Sequence, residues 1–447
     1  MDISKNNQFF SDGLEYLDRL NSDRSDISKL RSAFNSENSR FILSVNGAKR
    51  FLFNSNDNSG DGKRNKLHNL MFLKLSQLRQ LNLANLDFYI NLNQAPVIID
   101  NEVSPRYSSN YLTAFDIANK GSIVFLGKTR FDPSSNPGFP YRDTFIWAID
   151  TGNLLHTPPA ISLDLQITSF FGGELLESRI GSFNLPPQQA HLFAVASSVV
   201  DWNYRNTFCP SCGTPTWSAE AGFKRVCVSG FSPSNNPSEV PKPSTSSLPP
   251  RLIIKSSHFD PSNPSLCSAQ NSLNNFSFPR TDPVVIVAVT SPDNSKILLA
   301  RRKNFPPFRY SCISGFADPA ESIEDVVRRE SLEELGITVT NISYYSSQPW
   351  PFPNSLMIGV FAQATTDEFS VDTNELAEAR WFTFNEIYPA VRNIELNSPH
   401  TFPSTVTYPE LVPAPDSTNY KAPPAVAIGF SLIQAWCKSQ VDPSHKL

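Results

Sequence analysis

The spacing of apolar and polar positions is most regular after residue 280. Val284 to Val289 is an unbroken apolar run that predicts a strand buried on both faces, and Lys296 to Ala300 predicts a second strand. Ser322 to Leu335 has the 3.6-residue period of a helix, strands are expected at Ile337 to Tyr345 and Leu356 to Ala364, and Ala425 to Lys438 predicts a last helix. Alternation of this kind packs as an αβ sandwich over residues 281–440. Residues 1–190 carry weaker signals: a helix around Leu67 to Leu83, short strands at Ser122 to Leu126 and Thr144 to Ile149, and a polar loop at Asn54 to Asn65. This part is expected to be an α+β domain. HLFAVASSVVDW, His191 to Trp202, has helical spacing and is expected to connect it to the cysteine-bearing segment. Residues 229–264 are mostly Ser, Pro and Asn, with too little apolar content to offset the entropy of ordering, and predict a disordered insert. The expected organisation is therefore 1–190, the cysteine-bearing segment 203–280 containing the insert, 281–440, and a tail 441–447.

Composition, charge and cysteine usage sharpen this picture. A length of 447 residues fits two or three domains, at about 150 residues each. A net charge of −4 with 18% charged residues gives no general attraction to nucleic acid or to an anionic membrane. Met1 to Phe10 lacks the pattern of a secretory leader and no stretch reaches the ~20 apolar residues of a span, so the chain reads as soluble and intracellular with no membrane partner. Six cysteines are too sparse for a disulfide scaffold; four of them fall between Cys209 and Cys267, which points to a metal.

The predicted helix at 322–335 is bounded at both ends, by Ser322 with Asp325 three residues later and by Gly336. At 100° per residue, Glu330, Glu333 and Glu334 fall on the arc that Ile323, Val326 and Val327 occupy a turn or two earlier, so one stripe turns from apolar to acidic. Carboxylates at the negative end of a helix repel one another and the dipole, so a cation belongs there; several carboxylates near a phosphate are the usual setting for Mg²⁺. A solvated acidic face would explain three glutamates alone. It does not explain the longer spacing: Gly315, five residues, Glu321, seven residues, Arg329, Glu330, two residues, Glu333, Glu334, one residue, Gly336, Ile337.

That spacing resembles the Nudix box, with Ser331 where an aliphatic residue is usual. Downstream, SQPWPFPNS (Ser347 to Ser355) reads as a loop stiffened by three prolines, holding the Trp350 and Phe352 rings for stacking, with Gln348 and Ser355 as hydrogen-bonding groups. The string resembles the SQPWPFPxS signature of the NAD(H) pyrophosphatase branch. The resemblance extends through FPRTDPVVIVAV, LLARRKNFPPFRYSCISGF, Trp202 and FCPSCG, over roughly residues 190–440, and is faint before that. It implies an α+β protein with a C-terminal Nudix αβα sandwich, a zinc ribbon, and an N-terminal α+β domain of degenerate Nudix type. By position it implies Glu330, Glu334 and Glu375 as ligands of Mg²⁺ or Mn²⁺, with the Ser314 main-chain carbonyl and with Glu333 in a shared role. Glu375 and Glu333 are the candidates for general base. Arg329, one turn before Glu333, is expected to orient the glutamates by ion pairing. Substrate contacts are implied at Gln348, Pro349, Trp350, Pro351, Phe352, Pro353, Asn354, Ser355, Phe278 and Ala427. Phe278 stands where relatives often carry Tyr, which keeps stacking and loses a hydroxyl.

Cys209, Cys212 and Gly213 have the form of a zinc knuckle, and Cys227 follows after 14 residues. A second knuckle needs a partner near position 230, where Gly230 stands instead. Cys267, beyond the insert, is expected to complete a structural Cys₄ zinc site, because closure entropy grows slowly with loop length. Cys312 and Cys437 have apolar neighbours and read as core thiols.

The implied reaction is hydrolysis of the pyrophosphate of NADH or NAD⁺ to nicotinamide mononucleotide and AMP. Alternatives within the class are ADP-ribose, dinucleoside polyphosphates and the NAD cap of RNA; outside it stands a zinc-ribbon adaptor or nucleic-acid binder with an inactive Nudix domain. The resemblance also implies a homodimer, and His445, Lys446 and Leu447 resemble a peroxisomal C-terminal address, so the location is expected to be peroxisomal or cytoplasmic.

Overall fold

The computed structural model describes residues 9–10, 17–24, 26–55, 68–80, 98–99, 102–103, 122–130, 141–151, 163–213, 216–227, 267, 277–397 and 420–441. The insert at 229–264 and the last residues, His445 to Leu447, lie outside them. The chain divides into two units: one groups Met1–Asp12, Thr281–Trp350 and Asn354–Leu447, the other Gly13–Arg280 and Pro351–Pro353.

The Gly13–Arg280 unit is built on β1 (Ser39–Val45), β2 (Arg50–Ser55), β3 (Ser122–Thr129), β4 (Phe145–Asp150) and β5 (Glu174–Glu177), in the order β3-β4-β1-β2-β5. β1 runs parallel to β4 and the other neighbours are antiparallel. The expected strands at 122–126 and 144–149 are thus present as β3 and β4. Of the expected helix around Leu67 to Leu83 the described residues are 68–80, and among them His68–Leu70 and Phe72–Leu73 are strands on β2 and β1 while only Leu75–Gln80 is helical. Burying Leu70 and Leu73 in short strands paired with β2 and β1 outweighs their helix propensity. Helix α1 (Pro187–Arg205) covers the expected 191–202 and extends it; its residues from Gln188 to Ser197 are all buried, so it is a core helix of this unit and not a connector. A hairpin, β6 (Thr216–Ala219) and β7 (Lys224–Cys227), comes after it.

The other unit is a three-layer αβα sandwich, as expected. Its sheet has β8 (Asp282–Thr290) at the centre, β9 (Lys296–Arg302), β10 (Ile313–Phe316), β11 (Val339–Trp350), β12 (Ser355–Ala364) and β13 (Leu376–Thr383). The order is β11-β12-β8-β9-β13, with β10 also paired to β8. β8 is parallel to β12 and antiparallel to β9 and β10. Alternate residues feed opposite layers. Ile286, Ala288, Ile297 and Leu299 pack against α3 (Phe384–Asn397) and α4 (Ile428–Val441), around Phe430 and Trp436. Val285, Val287, Val289 and Leu298 face α2 (Ile323–Leu335) and its buried Val326 and Val327. Full burial is worth about 1.5–3 kcal/mol for each such side chain, so α2 is anchored by its apolar half.

The expected strands and terminal helix are all present, shifted by up to three residues. Two differences are larger. β10, β13 and α3 were not legible, and Ser347 to Trp350, read as loop, continues β11, pairing Trp350 with Ser355. β11 is an edge strand, the place in a sheet where proline is tolerated.

Candidate active site

Helix α2 begins and ends where local chemistry dictates. Ser322 Oγ accepts the Asp325 amide and the Asp325 carboxylate accepts the Ser322 amide, both at 3.2 Å, a reciprocal cap worth about 1 kcal/mol. Gly336 ends the helix at φ 60°, in the left-handed region open to glycine. Between these points the three glutamates do not share one environment. Glu330 and Glu334 are buried, and Glu333 is exposed. Ile323, the first residue of the helix, is outside the core its arc predicts, at 38% exposure.

Arg329 organises the acids. Its Nε and Nη2 grip both oxygens of Glu321 at 2.6 and 2.8 Å, and Nη1 donates to Glu330 at 2.7 Å and Glu333 at 3.0 Å. Nη2 also donates to the Phe316 carbonyl, tying β10 to α2. The guanidinium holds the Glu321 carboxyl down at about 2, below the ordinary carboxylate range. The ion-pairing expected of Arg329 is therefore present.

Burial pushes the Glu330 carboxyl up, against the pull of Arg329, with Glu333 and Glu375 adding to the rise. Glu334 is 3% exposed and burial raises it to about 7; Arg302 lowers it, while Glu330, Glu375 and Asp372 raise it. Its Oε2 has no hydrogen-bond partner among the described residues. Glu375 acts on both buried acids in the same sense. The loop holding it is stitched to the end of α2: the Ser370 amide donates to Leu335 O at 2.8 Å and the Asp372 amide to Glu334 O at 2.9 Å.

Gly315, on β10, shows why the box opens on glycine. A Cβ there would lie 1.8 Å from the Glu330 carboxyl carbon, so the carboxylate rests on the bare Cα. Beside it, Ser314 turns its carbonyl and hydroxyl to Arg302 Nη2 at 2.5 and 3.1 Å. The role of Arg302 was not read from sequence; the only signal is a pair of arginines closing an apolar strand.

The SQPWPFPNS string is divided. Gln348 is fully buried, its amide donating to Phe9 O and Val426 O at 2.9 and 2.8 Å and accepting the Ile428 amide at 2.9 Å. It thus fixes the start of α4 around Ala427, where the sequence implied a substrate contact for Gln348 itself. Trp350 meets Phe10 edge-on, ring centroids 6.2 Å apart, and Asn354 O accepts the Asp282 amide. Ser355 is buried on β12 and Pro349 is half-buried. In the other unit, the Pro351 carbonyl accepts from Ser197 at 3.2 Å. There Phe352, followed by exposed Pro353, packs near Phe183 and Phe193 with Arg179 5.8 Å over its ring. Phe278 is 41% exposed, with Lys224 Nζ 5.4 Å from its centroid.

The four clustered cysteines converge. Cys209, Cys212, Cys227 and Cys267 have Sγ atoms all within 4.8 Å of one another, with Cys209 to Cys267 at 3.7 Å and Cys212 to Cys227 at 3.4 Å. Four thiolates around zinc at about 2.3 Å have an edge of about 3.8 Å, so the set fits a tetrahedral ion. Cys312 and Cys437 are buried thiols, pushed up to about 12 in Cys312 and higher still in Cys437 by burial, as expected of core residues.

Comparison with known proteins agrees with this geometry. Residues 280–403 match the NUDIX domain and residues 205–236 the NADH pyrophosphatase zinc ribbon domain. The human mitochondrial NAD(P)H pyrophosphatase NUDT13 is 32% identical over 304 residues, 67% of this chain and 69% of the relative. The chain belongs to the Nudix hydrolase family. Other Nudix relatives include the NAD-capped RNA hydrolase NUDT12 of Macaca fascicularis, 40% identical over 203 residues, 45% of this chain. The NAD-capped RNA hydrolase of Schizosaccharomyces pombe is 32% identical over 266 residues, 58% of each chain. This Nudix chain spans only 36% of the length of the first of these, NUDT12. No helix among the described residues is long and apolar enough to cross a membrane.

Proposed function

We propose that this chain hydrolyses the pyrophosphate of NADH or NAD⁺, giving nicotinamide mononucleotide and AMP. The observation that carries the reading is the pair of buried carboxylates at the end of α2, Glu330 and Glu334, with Glu375 acting on both. Two adjacent buried acids, one of them with an unpartnered oxygen, are tolerated where a cation is to be held. Glu330, Glu334 and Glu375, with the Ser314 carbonyl, would hold Mg²⁺ or Mn²⁺. Bound there, such ions supply a water of lowered pKa and neutralise the leaving phosphate.

The chain's own residues do the rest. Arg329 fixes Glu330 and Glu333 in place, and Gly315 leaves room for the Glu330 carboxylate. Of the two candidates for general base, Glu375 is the better: its carboxylate oxygen takes the proton of the attacking water, since Arg329 engages Glu333. Trp350 offers a face for a flat end of a dinucleotide, and Gln348 positions the Ala427 backbone for contact with it. Cys209, Cys212, Cys227 and Cys267 would hold a structural zinc.

Incubating the purified chain with NADH, NAD⁺ and ADP-ribose in Mg²⁺ or Mn²⁺, with chromatography of products, tests the reading. Mononucleotide plus AMP, lost with EDTA, is expected; folded, zinc-loaded protein that cleaves none of them sinks it. A second reading, removal of NAD caps from RNA, is favoured by the relatives named for that activity, and adding NAD-capped RNA to the same assay ranks the two. A homodimer and a peroxisomal address at His445 to Leu447 belong to the same proposal, tested by light scattering and by fusing the last ten residues to a reporter.

A further inference from the structure

We propose that Arg302 positions the substrate phosphate in this site, and that it contends with a divalent cation for the Ser314 carbonyl; this rests on the pyrophosphatase reading. β9 pairs with β13 until its register slips between Arg301, opposite Glu378, and Arg302, opposite Leu376. A bulge of this kind re-aims a side chain, and such irregularities collect beside active sites. The two neighbouring arginines consequently have different work. Arg301 is spent within the fold, its Nε on Glu378 at 2.6 Å and its Nη1 on Phe305 O at 3.4 Å.

Arg302 is exposed and its Nη2 donates to the carbonyl and hydroxyl of Ser314. Both partners are neutral, and its Nε and Nη1 have no partner among the described residues. The cluster beside it is acidic: Glu330, Glu375 and Asp372 all act on Glu334 with one sign, and Arg302 with the other. A guanidinium with an open edge, next to carboxylates that hold cations, is built to take a phosphate oxygen pair.

The Ser314 carbonyl cannot serve Arg302 and a divalent cation together without setting two positive charges a few Å apart. Arg302 must therefore release that oxygen for it to act as a metal ligand, and the anion it then meets is the pyrophosphate. It follows that Arg302 weakens metal binding without substrate and strengthens substrate binding with metal.

Mn²⁺ affinity of the full chain, read by electron paramagnetic resonance without nucleotide, and Michaelis parameters for NADH separate these effects in wild type, R302Q and R302K. Arg302→Gln is expected to bind Mn²⁺ several-fold more tightly and to raise KM about tenfold, with kcat within about threefold, as for loss of one charge-assisted contact. Arg302→Lys, keeping a point charge, restores most of KM. Unchanged Mn²⁺ affinity and KM in R302Q overturn the proposal, and so do weaker Mn²⁺ binding and a fallen kcat together, the mark of a merely structural residue. If wild type cleaves no dinucleotide, the pyrophosphatase reading and the substrate half of this proposal fall, and the Mn²⁺ comparison still decides the competition at Ser314.

Discussion

If Glu334 holds a cation as proposed, it sets stability against function, and the conflict can be measured. Its carboxyl is raised from 4.5 to about 7, chiefly by burial, and its Oε2 has no partner among the described residues. For an acid whose folded pKa lies above its unfolded one, the folded state holds the extra proton between these values. Stability therefore falls as pH rises from 4.5 to 7 and is flat above. At about 1.4 kcal/mol per pH unit, ionised Glu334 costs the cation-free protein about 3 kcal/mol. Glu334→Gln removes that cost, less about 1 kcal/mol for a poorly bonded buried amide. A net gain of about 2 kcal/mol raises the melting temperature of a domain this size by about 4–8 °C. Calorimetry in EDTA at pH 8 should show that gain, calorimetry at pH 5 should show much less, and turnover in Mg²⁺ should fall about 10²-fold or more. A variant no more stable than wild type at pH 8, or equally stabilised at pH 5, would refute the argument that a desolvated charge is stored there for a cation.

Gly315→Ala places a methyl group on the Glu330 carboxylate, so turnover should drop about 10²-fold while far-ultraviolet dichroism and Mn²⁺-free melting change little; an active variant would show that Glu330 need not rest there. Cys267→Ser should lower zinc content by mass spectrometry and speed its loss to chelator. Full zinc retention would remove Cys267 from the ligand set. Asp293 is held at about 2 by the Ser291 hydroxyl and by the amide and hydroxyl of Ser295, so its stabilising effect is complete above 3.8 and is lost as pH falls toward 2. In melts across that range, Asp293→Asn should be the less stable protein near neutrality and should converge on wild type in acid; parallel curves would count against the turn.

What was legible in the sequence was what local rules decide. Ser322, Asp325 and Gly336 bound α2 because caps act over three or four residues, and β8 is an apolar run because both its faces are covered. The four cysteines could be counted without knowing the path of the chain between them, since a metal site depends on where sulfurs end, not on how far apart they start. Elements whose signals are set by distant partners were misread or missed. Pro389 inside α3 argues against a helix, yet Ile387 and Val391 are buried beside it against the sheet. The leucines and methionine of Leu67 to Leu83 have helical spacing, and pairing with β1 and β2 took part of that segment as strand.

The active-site cluster obeys the same division. That Glu330 and Glu334 share a face is arithmetic on the helix, but that Glu333 turns outward to Arg329 depends on where β10 lies, because the Phe316 carbonyl and Glu321 fix the guanidinium. A stripe of acids in sequence thus becomes two buried carboxylates and one exposed one only after the sheet has placed Arg329. The same holds for Arg301 and Arg302, which no sequence rule separates. One bulge opposite Glu378 and Leu376 gives the first to the fold and leaves the second to the site. Chemistry here is therefore written in which residues are acidic or basic, and its geometry in strand register, which is why the box could be recognised in the sequence while the cation beside it could not.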